Sequence, residues 1–571
     1  PSPELLADIR TQAEKLDITV TATEDEAYVA ALAHELIQVE QRMIPVGLHI
    51  LGEAPSQEEL IDILALIAAF AQPKIGKNGT TTLTPLPRMV AAGLGQDYEE
   101  LRVNLKTSRT AQEHWEQIDT ICREAMRLFV EQRTTNNEQK PDQRKVDAYL
   151  QQAAQIRPGT LTPLWTLLDD LVDKIIADQE LQGMLHALRG GYVSPSPGND
   201  VVRNPAVVPT GRNIYGLDPF RMPSAMAQDA GSRLVAEMLE NLTQTQGALP
   251  ESVAVVLWGI DNLKSNGEGI AQVLALLGVR AVNDELGNVA DVTLIPPAEL
   301  GRPRVDVVVT VSGIFRDLLH HQMGLMDKAV HLAANADEPL EQNFVRKHAL
   351  EQAAALNISL DAAATRIFAN APGCYGANVN HMIDGGTWDQ EEQLSDTFLS
   401  RKSFAFSGNG QWQDARGIME SALSTVDATF QNIDSFEVGI SDIDNYYENL
   451  GGMTKSVEVL RGKRPPVMVA DAVAATGRLS SLEQMVRLET RAKLLNPKWF
   501  EGMLAHGSEG VREIEARVNN TYGWSVTATA VEDWVYQGVA DTFLLDEAMR
   551  ARLSQLNPHA TAAVTRRLLE A

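Results

Sequence analysis

Two apolar segments of the sequence end in residues that could bind an anion. The runs 253–257 and 305–311 are continuous enough to predict strands that are buried on both faces. The residues that follow them are Trp258, Ser312, Gly313 and Arg316. A guanidinium can hold a carboxylate through two parallel hydrogen bonds, and the first N–H groups of a helix also favour an anion. Because ligands of parallel sheets lie outside the carboxyl ends of the strands, this pattern predicts an anion site.

Arg316 has a second possible role that the sequence leaves open. It could pair with an internal acid, such as Asp317 or Glu268, and hold a loop in place. A ligand role predicts that Arg316→Lys weakens carboxylate binding and leaves the fold intact. A holding role predicts a loss of stability with unchanged binding.

Three common enzyme signatures are absent from the sequence. Residues 451–456 (Gly-Gly-Met-Thr-Lys-Ser) lack the glycine that precedes the lysine of a phosphate-binding loop, so ATP hydrolysis by this chain is not expected. Gly267-Glu268-Gly269 has no third glycine, which makes a dinucleotide site a weak hypothesis. No two histidines flank a glutamate as in zinc proteases. His506 lies in a glycine-containing loop that permits close approach of a ligand, but a lone loop histidine is more often a surface residue.

Charge and composition limit the class of protein. The 571 residues include 49 Lys and Arg against 76 Asp and Glu, a net charge of −27. Such a chain repels phosphates, which argues against nucleic-acid or anionic-membrane binding. Two cysteines, Cys122 and Cys374, are too few for a disulfide framework, and no apolar run approaches the ~20 residues that cross a bilayer. The sequence therefore predicts a protein of a reducing, intracellular compartment such as the cytoplasm.

Periodicity predicts a multi-domain, helix-rich α/β protein. Residues 1–188 show helical spacing and predict a mainly helical domain. Residues 189–335 predict a loop-rich entry and then a doubly wound, mainly parallel sheet around 250–335. Residues 336–571 predict a helix-rich domain with a second, smaller αβ region around 435–475.

Local patterns predict the following elements. The runs 253–257 and 305–311 are expected to be neighbours in one sheet, with a loop over 261–269 between them. Helices are expected at 60–71, 109–132, 145–155, 163–188, 314–333, 339–356, 359–369 and 442–450, and from 480 onward. Ser56 is expected to begin the first of them. Further strands are expected at 44–50, 292–295, 435–440 and 466–470, and a helix at 25–43.

Two segments lack a clear assignment. Residues 189–224 contain prolines and glycines that cannot lie inside helices or central strands, so they predict either a domain linker or an ordered loop that lines a cleft. Six acidic residues between Asp427 and Glu448 have no basic residue among them. A solvated face is expected there, with a docking surface for a basic partner as the alternative.

Several ungapped blocks resemble the large porphyrin-binding H subunit of magnesium chelatase, in that family's order. They are 256–259, 300–309, 312–317 (Ser-Gly-Ile-Phe-Arg-Asp), 337–341, 343–352, 399–406 (Leu-Ser-Arg-Lys-Ser-Phe-Ala-Phe), 496–504 (Asn-Pro-Lys-Trp-Phe-Glu-Gly-Met-Leu) and 509–515. The resemblance runs from about residue 30 to the C-terminus. The large subunit of cobaltochelatase shares the Ser-Gly-x-Phe-Arg-Asp element, and His506 resembles that branch. Blocks 399–406 and 496–499 look more like the magnesium branch.

The resemblance implies an enzyme subunit that inserts Mg²⁺ into protoporphyrin IX in chlorophyll or bacteriochlorophyll biosynthesis. It implies two protein partners, an AAA+ ATPase subunit and a subunit with a metal-binding adhesion-type domain, and a porphyrin-binding accessory protein as a further partner. Mg²⁺ is then a substrate, and ATP is used by the partner subunits. No cofactor is expected to bind through a recognisable motif in this chain.

The resemblance also implies that part of the large subunit lies outside this sequence. Family members are more than twice as long and carry an upstream His/Gly-rich segment, with a Glu for metal insertion, that has no counterpart here. We therefore expect the C-terminal portion of the large subunit, inactive by itself.

The resemblance gives roles to particular residues, because a macrocycle with two propionates needs apolar and cationic groups. The candidates for porphyrin binding are Trp258, Ser312, Gly313, Arg316, Arg212, Arg346, Lys347, Arg401 and Lys402. The candidates for accepting pyrrole protons or handling the metal are Glu268, Asp317, Glu509 and His506; metal ligands are not assigned. Each could instead form a structural ion pair, but several Arg-bearing motifs in an acidic protein favour an anion-recognition cleft.

Three alternatives stay open. The chain could be the large subunit of cobaltochelatase, a non-catalytic scaffold for ATPase partners, or a module that senses a porphyrin or another small ligand. Quenching of tryptophan fluorescence by deuteroporphyrin would favour the porphyrin-binding chelatase subunit over both the scaffold and the small-ligand module.

Overall fold

The computed structural model describes most of the chain in two compact units. The described residues are 3–16, 18, 25, 28–29, 31–32, 36, 51–70, 72–76, 79–104, 109–135, 143–177, 179–197, 201–202, 205–215, 218–285, 287–406, 412–433, 438–471 and 478–571. We call the first unit, Pro1–Met43 with Asp218–Val473 and Gly477–Ala571, the sheet unit. The second, Ile44–Leu217 with Ala474–Thr476, is the helical unit. The strand predicted at 44–50 and most of the helix predicted at 25–43 lie outside the described residues.

The sheet unit is built on one eight-stranded sheet. Its strands, in chain order, are β1 (Ser252–Leu257), β2 (Asp306–Val311), β3 (Ile367–Ala369), β4 (Phe404–Phe406), β5 (Trp412–Asp414), β6 (Ala428–Ile433), β7 (Val467–Asp471) and β8 (Arg478–Ser481). The spatial order is β5-β4-β3-β2-β1-β6-β7-β8. The five central strands, β3, β2, β1, β6 and β7, are parallel. The three outer strands, β4, β5 and β8, each pair antiparallel with their neighbours. Chain order reverses between β1 and β6, so the predicted doubly wound α/β class is confirmed.

The central pair of strands follows the sequence pattern closely. β1 and β2 are buried along their whole length, with Ser252 opposite Asp306 and Leu257 opposite Val311. The prediction that 253–257 and 305–311 are neighbours in one sheet is therefore confirmed. A strand buried on both faces has no polar face, which explains the continuous valine-rich runs.

The αβ pattern around 435–475 belongs to the same sheet. β6 and β7 continue the parallel array from β1, so strands on both sides of position 335 hydrogen-bond together. The sequence predicts a strand at 435–440. Residues 435–437 lie outside the described part, and 438–440 is not a strand; the strand of this region is β6, which lies earlier in the chain. The three-domain division itself stays a prediction.

Three other local predictions are corrected. The end of the helix predicted at 359–369 is β3, a strand of only three residues that leaves no periodic signal. The loop predicted over 261–269 is largely the helix Gly259–Lys264 and the start of Glu268–Leu277. The strand predicted at 292–295 belongs to an antiparallel hairpin outside the main sheet, Val279–Asn283 with Val289–Leu294.

Helices cover the sheet on both faces and extend the unit. They are Pro3–Lys15, Ala225–Gln246, Gly259–Lys264, Glu268–Leu277, Pro297–Leu300, Gly313–Leu318, His320–Asn335, Phe344–Leu356, Leu360–Ala363, Val379–Gly385, Glu391–Lys402, Arg416–Leu423, Asp444–Tyr446, Gly452–Arg461, Leu482–Glu489, Pro497–Leu504, Ser508–Ala528, Asp533–Ala540, Glu547–Leu556 and Pro558–Glu570. Wider π-turns occur at Tyr447–Gly451, Thr490–Leu494 and Asp541–Leu545. The described part contains no helix long and apolar enough to cross a bilayer.

The helical unit has its own core around Phe129, Trp165 and Leu168. Its helices are Gln57–Ala69, Leu86–Gly93, Tyr98–Asn104, Arg109–Thr135, Gln143–Ala154, Thr162–Ile176 and Glu180–Leu188. Ser56 caps the first of these in a reciprocal capping box with Glu59, as the sequence predicts. Two short strand pairs complete it: Gln72–Gly76 with Gly79–Leu83, and Pro195–Pro197 with Asn213–Tyr215.

Arg304, just before β2, ties four segments together. Its guanidinium is fully buried and meets both carboxylate oxygens of Glu338 at 2.8 Å. Its remaining bonds go to the backbone carbonyls of Leu277, Gly278 and Ile295. A buried cation needs such partners because its removal from water is costly.

We expect Arg304→Lys to destabilise the sheet unit by about 3–5 kcal/mol, the range for breaking a buried ion pair. An ammonium group cannot reproduce the planar fork that reaches Glu338 and the carbonyls together. Urea denaturation measures the change. Arg280→Lys is the matched control, because Arg280 pairs with Glu299 at the surface and should change stability by less than about 1 kcal/mol. Equal effects of the two substitutions would contradict the anchoring role.

Candidate functional site

The described carboxyl edge of the sheet consists of the ends of β1, β2 and β3. Residues 434–437 and 472–477, after β6 and β7, lie outside the described part. Trp258 and Ser312 lie at adjacent strand ends, where the N–H of Ser312 donates to the carbonyl of Leu257 at 2.9 Å. The indole N–H of Trp258 donates to Gln431 on β6 at 3.2 Å, which fixes the ring across the point where chain order reverses.

The hydroxyl of Ser312 is used inside the protein. Its Oγ accepts hydrogen bonds from the N–H groups of Gly259 at 3.1 Å and Phe315 at 3.2 Å. It therefore caps the helix Gly313–Leu318 and ties it to the helix that follows β1. These bonds support a structural role for Ser312 at the predicted anion site.

Arg316 is buried beneath the edge and pairs with Asp317. Its Nε donates to Asp317 at 2.7 Å. Its Nη1 donates to three carbonyls of the loop after β3, those of Asn370, Ala371 and Cys374, at 2.7–3.2 Å. Nη2 is buried without an acceptor among the described residues. These contacts favour the loop-holding role over direct binding of a ligand.

The loop that Arg316 holds presents Tyr375, a residue that the sequence did not single out. The phenol O–H donates to Asp317 at 2.6 Å, and the ring lies 5.1 Å from the guanidinium carbon of Arg316. A Cβ on Gly313 would lie 2.1 Å from this ring, so only glycine permits the approach. Spacing along the sequence could not show how close this loop lies to Arg316.

Lys402 and Glu448 are two buried ionisable side chains near the same loop. The ammonium of Lys402 donates to the carbonyl of Val311 at 3.4 Å. Burial lowers the pKa of Lys402 to about 8; Glu448 opposes this shift, and Arg316 and Arg401 reinforce it. Burial raises the pKa of Glu448, although the N–H of Asn378 donates to its carboxyl group. Both side chains are inaccessible to a large ligand.

The proposed acids at this edge differ in exposure. Asp317 is exposed, and hydrogen bonds from Arg316 and Tyr375 lower the pKa of its carboxyl group. Glu268 is buried in the first turn of the helix Glu268–Leu277, with its N–H donating to Ser265. The structure thus brings seven of the candidate residues to one edge: Trp258, Ser312, Gly313, Arg316, Asp317, Arg401 and Lys402.

Arg346 and Lys347 lie at the opposite, amino end of the sheet. The helix His320–Asn335 returns the chain there, and the following helix begins beside the start of β2. Lys347 pairs with Glu251, which directly precedes β1, at 2.6 Å. Arg346 donates to the carbonyl of Ala336 at 2.7 Å. Their contacts support structural roles and separate both residues from the carboxyl edge.

His348 at this amino end lies between two carboxylates. Nδ1 is 3.0 Å from Asp306 and Nε2 is 3.1 Å from Glu251. Carboxylates only accept hydrogen bonds, so both ring nitrogens carry protons and the ring is a cation. Burial opposes this charge, but the hydrogen bonds outweigh it and raise the pKa of His348 above its ordinary value of 6.5. Arg366 completes the network by binding both oxygens of fully buried Asp306.

His506 and Glu509 are exposed among the C-terminal helices. His506 lies between the helices Pro497–Leu504 and Ser508–Ala528. Glu509 pairs with Arg512 at 2.6 Å, and this hydrogen bond lowers the pKa of its carboxyl group. The structure gives neither residue a contact with the carboxyl-edge residues described above.

The described members of the acidic run do not form a solvated face; Asp434 and Glu437 lie outside the described residues. The side chain of Asp442 is only 6% exposed and pairs with Lys493 and with Arg517, at 2.7 Å from the latter. Glu448 is buried as described, and Asp427 pairs with Arg461. The cations come from distant parts of the chain, which the local charge pattern could not show. Across the described residues, no three His, Cys, Asp or Glu side chains form a cluster that could hold a metal ion.

Described residues of the proline- and glycine-rich segment, between 191 and 213, line a pocket of about 800 Å³ in the helical unit. One wall is the helix Glu180–Leu188, and the other is the loop around Arg212. A Cβ on Gly183 would lie 2.1 Å from the carbonyl oxygen of Gly211, so these glycines let helix and loop meet. Arg212 donates to the carbonyls of Val207, Val208 and Pro209 at 2.9–3.1 Å, so its guanidinium shapes the loop.

The sequence is similar to known chelatase proteins along its whole length. The family model described as CobN/Magnesium Chelatase matches residues 2–571. Magnesium-chelatase subunit ChlH, chloroplastic, of Oryza sativa subsp. indica is 42% identical over 97% of this chain and 41% of its own length. The H subunit of the magnesium chelatase of Cereibacter sphaeroides is 47% identical over 69% of this chain and 33% of its own length.

A solved structure is similar over the full chain. The catalytic subunit of cobaltochelatase from Mycobacterium tuberculosis superposes with a TM-score of 0.82 and 30% identity, covering 100% of this chain and 47% of that one. The chain therefore spans less than half the length of these relatives.

The His348 network makes a pH-dependent contribution to stability. Because the folded-state pKa is raised above 6.5, this contribution is fully present below pH 6.5 and is lost as pH rises through the folded-state pKa. We expect His348→Gln to remove that part of the pH dependence, measured by urea denaturation from pH 5.5 to about 9. His506→Gln is the control, since this exposed histidine should leave the pH profile unchanged. A profile unaltered by His348→Gln would contradict the charged state.

Proposed function

The chain belongs to the CobN/magnesium chelatase family, and from this we propose that it is the porphyrin-binding part of a magnesium chelatase large subunit. It would take part in inserting Mg²⁺ into protoporphyrin IX for chlorophyll or bacteriochlorophyll synthesis, in the cytoplasm or the plastid stroma. The family match over residues 2–571 carries this proposal. The two relatives named as magnesium-chelatase subunits are 42% and 47% identical to this chain, against 30% for the solved cobaltochelatase subunit, which supports the magnesium branch.

The chemistry of insertion explains what such a chain must supply. Mg²⁺ holds its water tightly, and the porphyrin must lose two pyrrole protons before the metal can enter. The macrocycle needs an apolar surface, and its two propionates need cations or N–H groups. Two places among the described residues have this character: the pocket of the helical unit and the carboxyl edge of the sheet.

The partners in this proposal handle ATP. The sequence has no phosphate-binding loop, so an AAA+ ATPase subunit and an adhesion-type metal-binding subunit would couple hydrolysis to insertion. A porphyrin-binding accessory protein would deliver the substrate. The roles of Glu268, Asp317, Glu509 and His506 in proton or metal transfer stay predictions.

A second candidate is insertion of Co²⁺. It is favoured by the solved cobaltochelatase subunit that covers the whole chain, and by the resemblance of His506 to that branch. Whether the assembled enzyme inserts Mg²⁺ or Co²⁺ decides between the two candidate functions.

Titration with deuteroporphyrin tests the proposal. We expect quenching of tryptophan fluorescence that saturates at one porphyrin per chain, because Trp258 is fixed at the carboxyl edge. Free N-acetyltryptophanamide, titrated at the same absorbance, controls for light absorbed by the porphyrin itself. Absence of saturable quenching would refute porphyrin binding.

Metal insertion is expected only in the assembled system. The chain with ATP and Mg²⁺ should give no magnesium porphyrin, whereas addition of the two partner subunits to the complete large subunit should give it, measured by fluorescence emission. Insertion of Co²⁺ but not Mg²⁺ would select the second candidate. Formation of magnesium porphyrin by the chain alone would contradict the proposed need for the partner subunits.

A further inference from the structure

Four apolar side chains are exposed at the carboxyl edge of the sheet. Ile260 is 50% exposed, Ile314 44%, Leu318 56% and Tyr375 55%. We call these four residues the apolar platform. Ile314 packs over Gly259, next to Ile260, and Leu318 lies one helical turn beyond Ile314 on the same face. Tyr375 covers Gly313 at the start of that helix.

The ring of Tyr375 is fixed although it is exposed. Its hydroxyl is bonded to Asp317, and its backbone carbonyl accepts a hydrogen bond from Arg401 at 3.0 Å. The buried guanidinium of Arg316 supports the ring and holds the loop through three carbonyls. An aromatic ring that is already ordered loses little conformational entropy on binding, so it suits contact with a ligand.

The charge beside the platform is complementary to a carboxylate. Arg401 lies next to Tyr375, to whose carbonyl its Nη2 donates in an exposed hydrogen bond, while its buried Nε has no acceptor among the described residues. A guanidinium binds carboxylates in a planar, bidentate geometry. A flat apolar ring system that carries carboxylates matches a flat exposed ring with an arginine at its margin.

The pocket of the helical unit is the competing location. It also carries an exposed tyrosine, Tyr192, which is 79% exposed. The guanidinium of Arg212, however, is occupied by loop carbonyls. The pocket offers a concavity of about 800 Å³, whereas the platform offers the ordered ring and the arginine.

We propose that the porphyrin macrocycle stacks on the apolar platform against Tyr375, with a propionate held by Arg401. This rests on the proposed function, of which it specifies the binding site. Arg316 then acts indirectly, by holding the loop that presents the ring.

Two tyrosine variants compare the platform with the pocket. We expect Tyr375→Ala to weaken deuteroporphyrin binding by about tenfold or more, the loss of one aromatic stacking contact. Tyr375→Phe keeps the ring and should bind within about twofold of wild type, since stacking needs no hydroxyl. Tyr192→Ala, the matched control in the pocket, should also stay within about twofold. Affinity is measured by fluorescence quenching and by the shift of the porphyrin absorption band.

The outcomes separate this inference from the function on which it rests. If wild type shows no saturable binding, the proposed function and the inference both fail. If wild type binds and Tyr375→Ala binds equally well, or only Tyr192→Ala weakens binding, the platform is wrong and porphyrin binding stands. If Tyr375→Ala does not fold, as judged by its melting temperature, Leu318→Glu replaces it: tenfold weaker binding supports the platform, and unchanged binding overturns it.

Discussion

A sheet that is buried on both faces can exist only if the charged groups at its two ends find partners inside the protein. Here the amino end is closed by Asp306 with Arg366 and His348. The carboxyl end is closed by Arg316, which gives its donors to Asp317 and to the loop after β3. Removing one partner from such a network leaves a buried charge uncompensated, so each end is built as a unit.

This constraint changes the meaning of the arginine-bearing motifs. In an acidic chain they suggest an anion cleft, but inside the fold Arg316 is buried with its Nε and Nη1 bonded to protein groups, and Arg212 and Arg346 donate to backbone carbonyls. In the proposed porphyrin site, Arg316 therefore acts through what it positions, the loop that carries Tyr375. Gly259 and Gly313 also help to position neighbouring elements, because the absence of a side chain lets those elements meet.

The sequence predicted the parts of the fold with a strong local signal. The valine-rich β1 and β2 and the helix cap at Ser56 are examples. The prediction placed β6 too late in the chain because Gln431 and Asn432 interrupt its apolar run. These two residues are buried because their amides bond to Trp258, Gln272 and Asp261 across the interior. The convergence of Trp258, Ser312 and Arg316 on one edge followed from strand direction. The occupation of their donors depends on loops tens of residues away, which spacing alone cannot reveal.

The central position of β1 has a consequence for how the chain can be divided. One neighbour, β2, follows within about sixty residues, but the other, β6, pairs Ala428 with Val253. A fragment or nascent chain that ends before β6 therefore exposes a full row of unpaired backbone groups along a hydrophobic strand, which is a template for aggregation. Pairing over such a separation is also slow to form. Expression boundaries that keep the sheet closed have to lie beyond Ser481.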